Sequence, residues 1–180
     1  MKHKTYITKS AAATKKLGEQ IAKEVLKSPS QKMAKVLGLQ GNLGGGKTTF
    51  LQGFAKGLKI KEKILSPTFV IQKRFKIKDS RFKNFYHFDC YRLKNEKVPK
   101  LAKGEPGSRS QSDLGNILEL DFKKIISNPK NIVAIEWPER VKKVLPKNTT
   151  LIEFEFINKN PDGSAIEDPR KNRDKREINF

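Results

Sequence analysis

Eight consecutive residues constrain this chain more than anything else in it: Gly41-Asn42-Leu43-Gly44-Gly45-Gly46-Lys47-Thr48. They satisfy the phosphate-loop pattern G-x-x-x-x-G-K-[ST] without a mismatch. Glycines let the backbone curl until successive N–H groups point inward at phosphate oxygens, and a helix starting there adds its positive end. The pattern acquires meaning only if a buried strand runs in and a helix runs out. Both are present. Ala34–Gln40 is a short apolar run, and from Thr48 to Leu58 the apolar spacing becomes helical. Strand, glycine loop and helix in this order open an α/β fold.

The loop predicts its own chemistry. Lys47 is expected to reach the β- and γ-phosphates of a nucleotide, and the Thr48 hydroxyl to sit on Mg²⁺. The Mg²⁺ of such sites usually needs a carboxylate at the end of a neighbouring buried strand, and two candidates qualify. Glu136 closes the apolar run Ile132–Ile135, and Asp89 closes Phe85–Phe88. His87 lies two residues before Asp89, so it points to the same side of its strand; packing or a structural hydrogen bond is favoured for it over catalysis. A guanine-reading Asn-Lys-x-Asp motif is missing, because Asn158-Lys159-Asn160-Pro161-Asp162 places its acid one residue late. ATP is therefore the default nucleotide.

The rest of the chain reads as follows. Residues 11–27 carry an apolar stripe at Leu17, Ile21, Ala22 and Val25, with Ser10 as N-cap. Thr68–Lys76 and Asn84–Tyr91 are β-branched and aromatic runs joined by a charged turn, which predicts an antiparallel hairpin. Residues 94–116 form a long polar loop, read as flexible, before a short helix over Ile117–Ile126. Asn131–Trp137 is a buried strand, Pro138–Val144 a helical turn, and Thr149–Ile157 alternates like a half-exposed strand. The expectation is an α/β fold: a single P-loop NTPase-like domain over 1–157 with a mixed central β-sheet flanked by helices. A polar extension, 158–180, follows, with its last strand at Arg176–Phe180 read as an edge strand.

Charge enters the argument through its distribution. The chain carries a formal +20, yet 31 of its 39 basic residues are lysines, whereas base-edge and phosphate-fork recognition favours arginine. The excess concentrates in residues 56–103, with 15 basic and four acidic side chains. That segment reads as an ordinary solvated lysine-rich surface or as a polyanion-facing one. No apolar run approaches a membrane span, and the basic N-terminus has no apolar signal core. A lone Cys90 excludes an internal disulfide framework. A cytoplasmic protein without membrane contact is expected.

Four pieces taken in order, Gly41–Phe50 (GNLGGGKTTF), Ser66–Phe69 (SPTF), His87–Leu93 (HFDCYRL) and Ile135–Pro138 (IEWP), resemble the TsaE family. These are small P-loop ATPases of bacterial tRNA threonylcarbamoyladenosine synthesis. The resemblance runs from about Thr14 to residue 157, and the loop at 94–116 is longer than the family's usual connection. It implies ATP binding by Gly41, Asn42, Leu43, Gly44, Gly45, Gly46, Lys47, Thr48 and Thr49, with Glu136. It implies Mg²⁺ at Thr48 and Glu136, and catalytic roles for Lys47, Asp89 and Thr68. Asp89 would order the attacking water or support the metal shell. Ser66, Pro67 and Thr68 would form a switch sensing the γ-phosphate, while Ala11, Thr14 and Trp137 would lie beside the nucleotide. The implied role is an ATP-driven accessory that resets a TsaB–TsaD complex, with tRNA contact through the basic segment. The alternatives are a P-loop small-molecule kinase and a nucleotide-regulated nucleic-acid-binding protein.

Overall fold

A computed structural model describes residues 4–65, 72–92, 121–157 and 175–180. Its strands are β1 (Thr5–Thr8), β2 (Lys35–Gly41), β3 (Gln72–Lys76), β4 (Asn84–Asp89), β5 (Asn131–Glu136), β6 (Thr150–Phe156) and β7 (Arg176–Asn179). They form one sheet in the order β1-β7-β6-β2-β5-β4-β3. The centre is parallel, β6, β5 and β4 all running with β2, while β3, β7 and β1 pair antiparallel. The mixed sheet and flanking helices are as expected from the sequence.

Two helices, α1 (Ala11–Lys27) and α2 (Lys47–Gly57), cover one face. The Ser10 hydroxyl caps α1 by accepting the Ala13 N–H at 3.1 Å, satisfying a donor that has no partner within the helix. Strand alternation divides the core. Leu37, Leu39, Ile132 and Ala134 pack toward Leu17, Phe50 and Phe54. Val36, Val133, Ile135, Tyr86 and Phe88 pack on the other face against Phe122, Ile125 and Ile126, in the helical residues 121–127. Phe50 sits at the centre of an aromatic cluster, 6.2 Å from the Phe54 ring and 5.6 Å from Phe154. Truncating one such buried ring to alanine costs about 3–5 kcal/mol. The two helices cross closely at Gly53, where any side chain would collide with the Lys15 backbone carbonyl.

The predicted antiparallel pairing is seen between β3 and β4, the expected residues 68–71 of the first strand lying outside the described residues. The turn is held by Asp79, which accepts the Arg81 and Phe82 N–H groups at 2.8 and 3.0 Å. Strand β6 buries Ile152 and Phe154 and exposes Glu153 and Glu155, the predicted alternation. One expectation is corrected. The last strand is interior, lying between β6 and β1, because Thr5–Thr8 forms an additional strand that takes the outer position and covers its free side. Ser66, Pro67 and Thr68, the loop 94–116 and the start of the helix expected at 117 lie outside the described residues. Among the described residues, no helix is long and apolar enough to cross a membrane.

Candidate functional site

Three parallel strands end along one edge of the sheet, and the register brings their last residues together. Glu136 of β5 lies opposite Leu39 of β2 and opposite Asp89 of β4. Such an edge, where carboxyl ends of parallel strands meet helix N-termini, is where open α/β sheets place ligands. Strand periodicity sorts the side chains further. His87 and Asp89 share the parity of Phe85, and Glu136 that of Ala134, so these polar groups face the layer occupied by α2.

The phosphate loop spans from the end of β2 to the start of α2. Gly44 and Gly46 hold φ values of 75° and 98°, a region that glycine enters without a Cβ penalty. The Gly45 N–H donates to the Asn42 carbonyl at 3.0 Å, closing a tight turn. Leu43 points outward at the loop's exposed tip, and Thr49 sits half-buried in the first turn of α2.

Lys47 is buried and turns back under the loop. Its ammonium donates to the Gly41 carbonyl at 2.6 Å and the Asn42 carbonyl at 2.9 Å. The same ammonium lies 4.1 Å from the centre of the Trp137 ring, a cation–π contact strengthened by loss of water. Burial pushes Lys47 below lysine's ordinary value, while the carboxylates of Glu136, Glu139 and Asp89 pull the other way. Trp137 holds a left-handed conformation with φ of 62°, costly for a residue with a side chain and common at functional sites. Its N–H donates to the Leu39 carbonyl at 3.1 Å, tying β5's end to β2. The Tyr91 ring stands 5.1 Å from the Trp137 ring.

Beneath the lysine, the Thr48 hydroxyl donates to the Glu136 carboxylate, 2.9 Å from Oε1 and 3.0 Å from Oε2. Glu136 is almost wholly buried, a position tolerated by a carboxylate only when it is hydrogen-bonded or binds a cation. Its second partner is His87, whose Nε2 lies 2.9 Å from Oε1. His87 therefore holds the structural hydrogen bond favoured for it, with the specific partner Glu136. The two sequence candidates for a cation differ in placement: Glu136 meets Thr48, whereas Asp89 Oδ1 accepts the Tyr91 N–H at 3.0 Å. A hydroxyl and a carboxylate meeting beside a phosphate loop form an oxygen donor set that fits Mg²⁺, which takes few protein ligands and completes its shell with phosphate and water.

Of the residues expected near the base, Ala11 opens α1 on the surface. Thr14 is buried, its hydroxyl donating to the Ser10 carbonyl at 3.1 Å. Its methyl lies 3.8 Å from where a Cβ on Gly46 would stand, so it walls the loop. Sequence reasoning missed a second wall. Arg176 of β7 donates from Nη2 to the Gly44 carbonyl at 3.4 Å, across 132 positions of sequence. No local pattern marks such a contact.

Comparison with known proteins adds an independent finding. A family model described as "Threonylcarbamoyl adenosine biosynthesis protein TsaE" matches residues 8–163. The TsaE protein of Aquifex aeolicus is 30% identical over 159 residues, covering 87% of this chain and 90% of its own. The TsaE protein of Synechocystis is 34% identical over 129 residues, 72% of this chain and 66% of the relative. That of Nostoc is 40% identical over 106 residues, 59% of this chain and 54% of the relative. The chain thus spans less than two thirds of these two cyanobacterial proteins. A crystal structure of Bacillus subtilis YdiB superposes with a TM-score of 0.62 at 24% identity, covering 99% of this chain and 84% of that one; this likeness establishes the α/β fold.

Proposed function

This chain belongs to the TsaE family, and on that premise we propose that it is an ATP-binding and ATP-hydrolysing accessory of tRNA threonylcarbamoyladenosine synthesis, acting on a TsaB–TsaD-like complex in the cytoplasm. The observation that carries the reading is the convergence of Thr48 and Glu136, 2.9 Å apart, at the mouth of a loop whose lysine is already held in place. Elements distant in sequence meet there, and a hydroxyl and a carboxylate beside a phosphate loop are the kind of donors that phosphoryl transfer uses, which supports the reading.

Each residue has a task. The loop's amide groups and Lys47 hold the phosphate chain, and Lys47 offers charge to the oxygens that become more negative as the γ-phosphoryl group leaves. Trp137 packs on the ammonium and limits the directions in which it can swing. Thr48 and Glu136 would hold Mg²⁺, which when bound neutralises charge shared between the β- and γ-phosphates. His87 fixes the Glu136 carboxylate from behind, a supporting contact of the kind that orients ligands. Asp89, one strand away, is assigned to the attacking water, and Thr68 with Ser66 and Pro67 to sensing of the γ-phosphate. Water attacks the γ-phosphorus, the bond to the bridging oxygen breaks, and ADP and inorganic phosphate leave.

The basic segment supports a tRNA contact. Lys61, Lys63, Lys73, Arg74, Lys76, Lys78, Arg81 and Lys83 are all exposed, and Lys73, Arg74 and Lys76 lie on β3, the outermost strand on that side. Neutralising four of these lysines should weaken tRNA modification with a salt-dependent deficit; modification unchanged across several salt concentrations removes the tRNA role. The function itself is tested by ATP hydrolysis of the chain alone and with a TsaB–TsaD pair, beside Glu136→Ala. Stimulation by the pair that disappears in the variant supports the reading. Tight ATP binding without stimulation leaves a P-loop protein with some other partner.

A further inference from the structure

The C-terminal strand touches the phosphate loop through one side chain. Arg176 sits in β7 opposite Phe156 of β6 and Thr8 of β1. Its guanidinium lies 4.6 Å from the centre of the Phe156 ring, Nη1 donates to the Lys175 carbonyl at 3.3 Å and Nη2 donates to the Gly44 carbonyl at 3.4 Å. The side chain also runs alongside Gly46: Nε lies 3.6 Å from where a Cβ on that glycine would stand. Phe156 flanks Gly44 in the same way, at 3.9 Å. Ring and guanidinium thus brace the outer side of the loop over Gly44–Gly46.

The physical consequence follows from the peptide plane. A phosphate loop works by turning N–H groups inward, which requires some of its carbonyls to turn out. Glycines leave those planes free to rotate, at an entropic cost whenever a ligand must order them. The Gly44–Gly45 plane is held at its N–H end by the Asn42 carbonyl at 3.0 Å, and a donor on the Gly44 carbonyl holds its other end, removing more of that freedom beforehand. Arginine suits the position because it stays charged and its planar head can stack on Phe156 while donating at its edge.

We propose that Arg176 is a positioning residue for the phosphate loop: with the Gly45 N–H turned to the Asn42 carbonyl, it holds the other end of the same peptide plane at the Gly44 carbonyl and so sets the course of the chain into the Gly46 and Lys47 amides, which face the nucleotide's terminal phosphates. The proposal rests on the nucleotide reading above and adds the C-terminal strand to the binding machinery. Its effect is confined to phosphates beyond the first, which separates it from a general role in stability.

The test compares wild type, Arg176→Met and Arg176→Lys by calorimetric titration with ADP and with AMP, alongside thermal melting. Methionine keeps the aliphatic packing on Phe156 and deletes charge and donors; lysine keeps the charge. One net hydrogen bond of ordinary strength corresponds to ADP binding about fivefold to tenfold weaker in Arg176→Met. AMP should change less than about twofold, and Arg176→Lys should recover part of the loss. Equal weakening of ADP and AMP, or ADP binding within about twofold of wild type, overturns the proposal. If Arg176→Met does not fold, the ADP-to-AMP affinity ratio of Arg176→Lys decides: a fall supports positioning, and an unchanged ratio overturns it. Wild type that binds neither nucleotide overturns the nucleotide reading itself, an outcome distinct from wild-type binding that the variants leave intact.

Discussion

Replacing Glu136 with glutamine separates what this carboxylate does for folding from the cation-binding role proposed for it. In the folded chain it accepts the Thr48 hydroxyl at 2.9 and 3.0 Å and meets His87 Nε2 at 2.9 Å, with almost no exposure. Glutamine has the same shape, and its carbonyl can accept from Thr48. Placed where Oε1 stands, that carbonyl can also accept from His87 Nε2–H at 2.9 Å, so the ring keeps its tautomer. Stability should therefore stay within about 1 kcal/mol of wild type. Alanine differs, because it opens a void beside the buried His87 ring and takes away the carboxylate that Nε2 meets. That orphaned group costs about 1–3 kcal/mol, or a melting temperature lower by about 2–12 °C at the usual slope for this size. Catalysis should rank the variants otherwise. Both remove the charge, so both should lose about a hundredfold in ATP hydrolysis and the dependence of ATP binding on Mg²⁺. Thermal melts and hydrolysis assays over a Mg²⁺ series measure the two effects. If Glu136→Gln hydrolyses ATP at close to the wild-type rate with the same Mg²⁺ dependence, the placement of the cation at Thr48 and Glu136 is wrong.

Three further outcomes are expected. Gly53→Ala puts a methyl into the Lys15 backbone carbonyl, so α1 and α2 must separate; a urea midpoint equivalent to a loss of about 1–3 kcal/mol is expected, and a neutral result would mean that the crossing is looser than described. Asp79 is held below the ordinary carboxylate value by the N–H groups of Phe82 and Arg81. Its contribution is therefore complete above the unfolded-state value near 3.8 and lost as pH falls through the lower folded-state value. Urea titrations should show Asp79→Ala less stable than wild type by about 1 kcal/mol at pH near 6, the gap closing in acid; a gap that persists unchanged into strong acid contradicts the turn assignment. Burial, helped by the carboxylates of Asp89, Glu139 and Glu136, pushes the Cys90 thiol up to about 12. Iodoacetamide should label it at mildly alkaline pH only as fast as the protein opens, and labelling at the rate of a free thiol would place Cys90 on the surface.

The amino-acid order by itself determined whatever depends on neighbours in the chain. The phosphate loop is eight contiguous residues whose glycines and lysine act through backbone geometry, so it could be read before any fold was known. The Ser10 cap, the helical stripe of α1 and the alternation of β6 are likewise set by periods of 3.6 and 2. Glu136 and Asp89 could be nominated because each closes an apolar run, yet their ranking waited for the register that brings Glu136 to Thr48. His87 was visible as a polar residue in an apolar strand; that its partner is Glu136 depends on β4 lying beside β5 in parallel. The outermost strands were harder. Thr5–Thr8 is too short to announce itself, and it turns Arg176–Asn179 from an edge into an interior strand. Arg176 reaches the loop because β7 pairs with β6, whose Phe154 lies opposite Gly41 of β2. Local spacing is written in the covalent chain, whereas these contacts arise from packing between segments that nothing in the chain's order brings together. The glycine-rich loop was thus legible in the sequence, and the walls and supports around it came from tertiary structure.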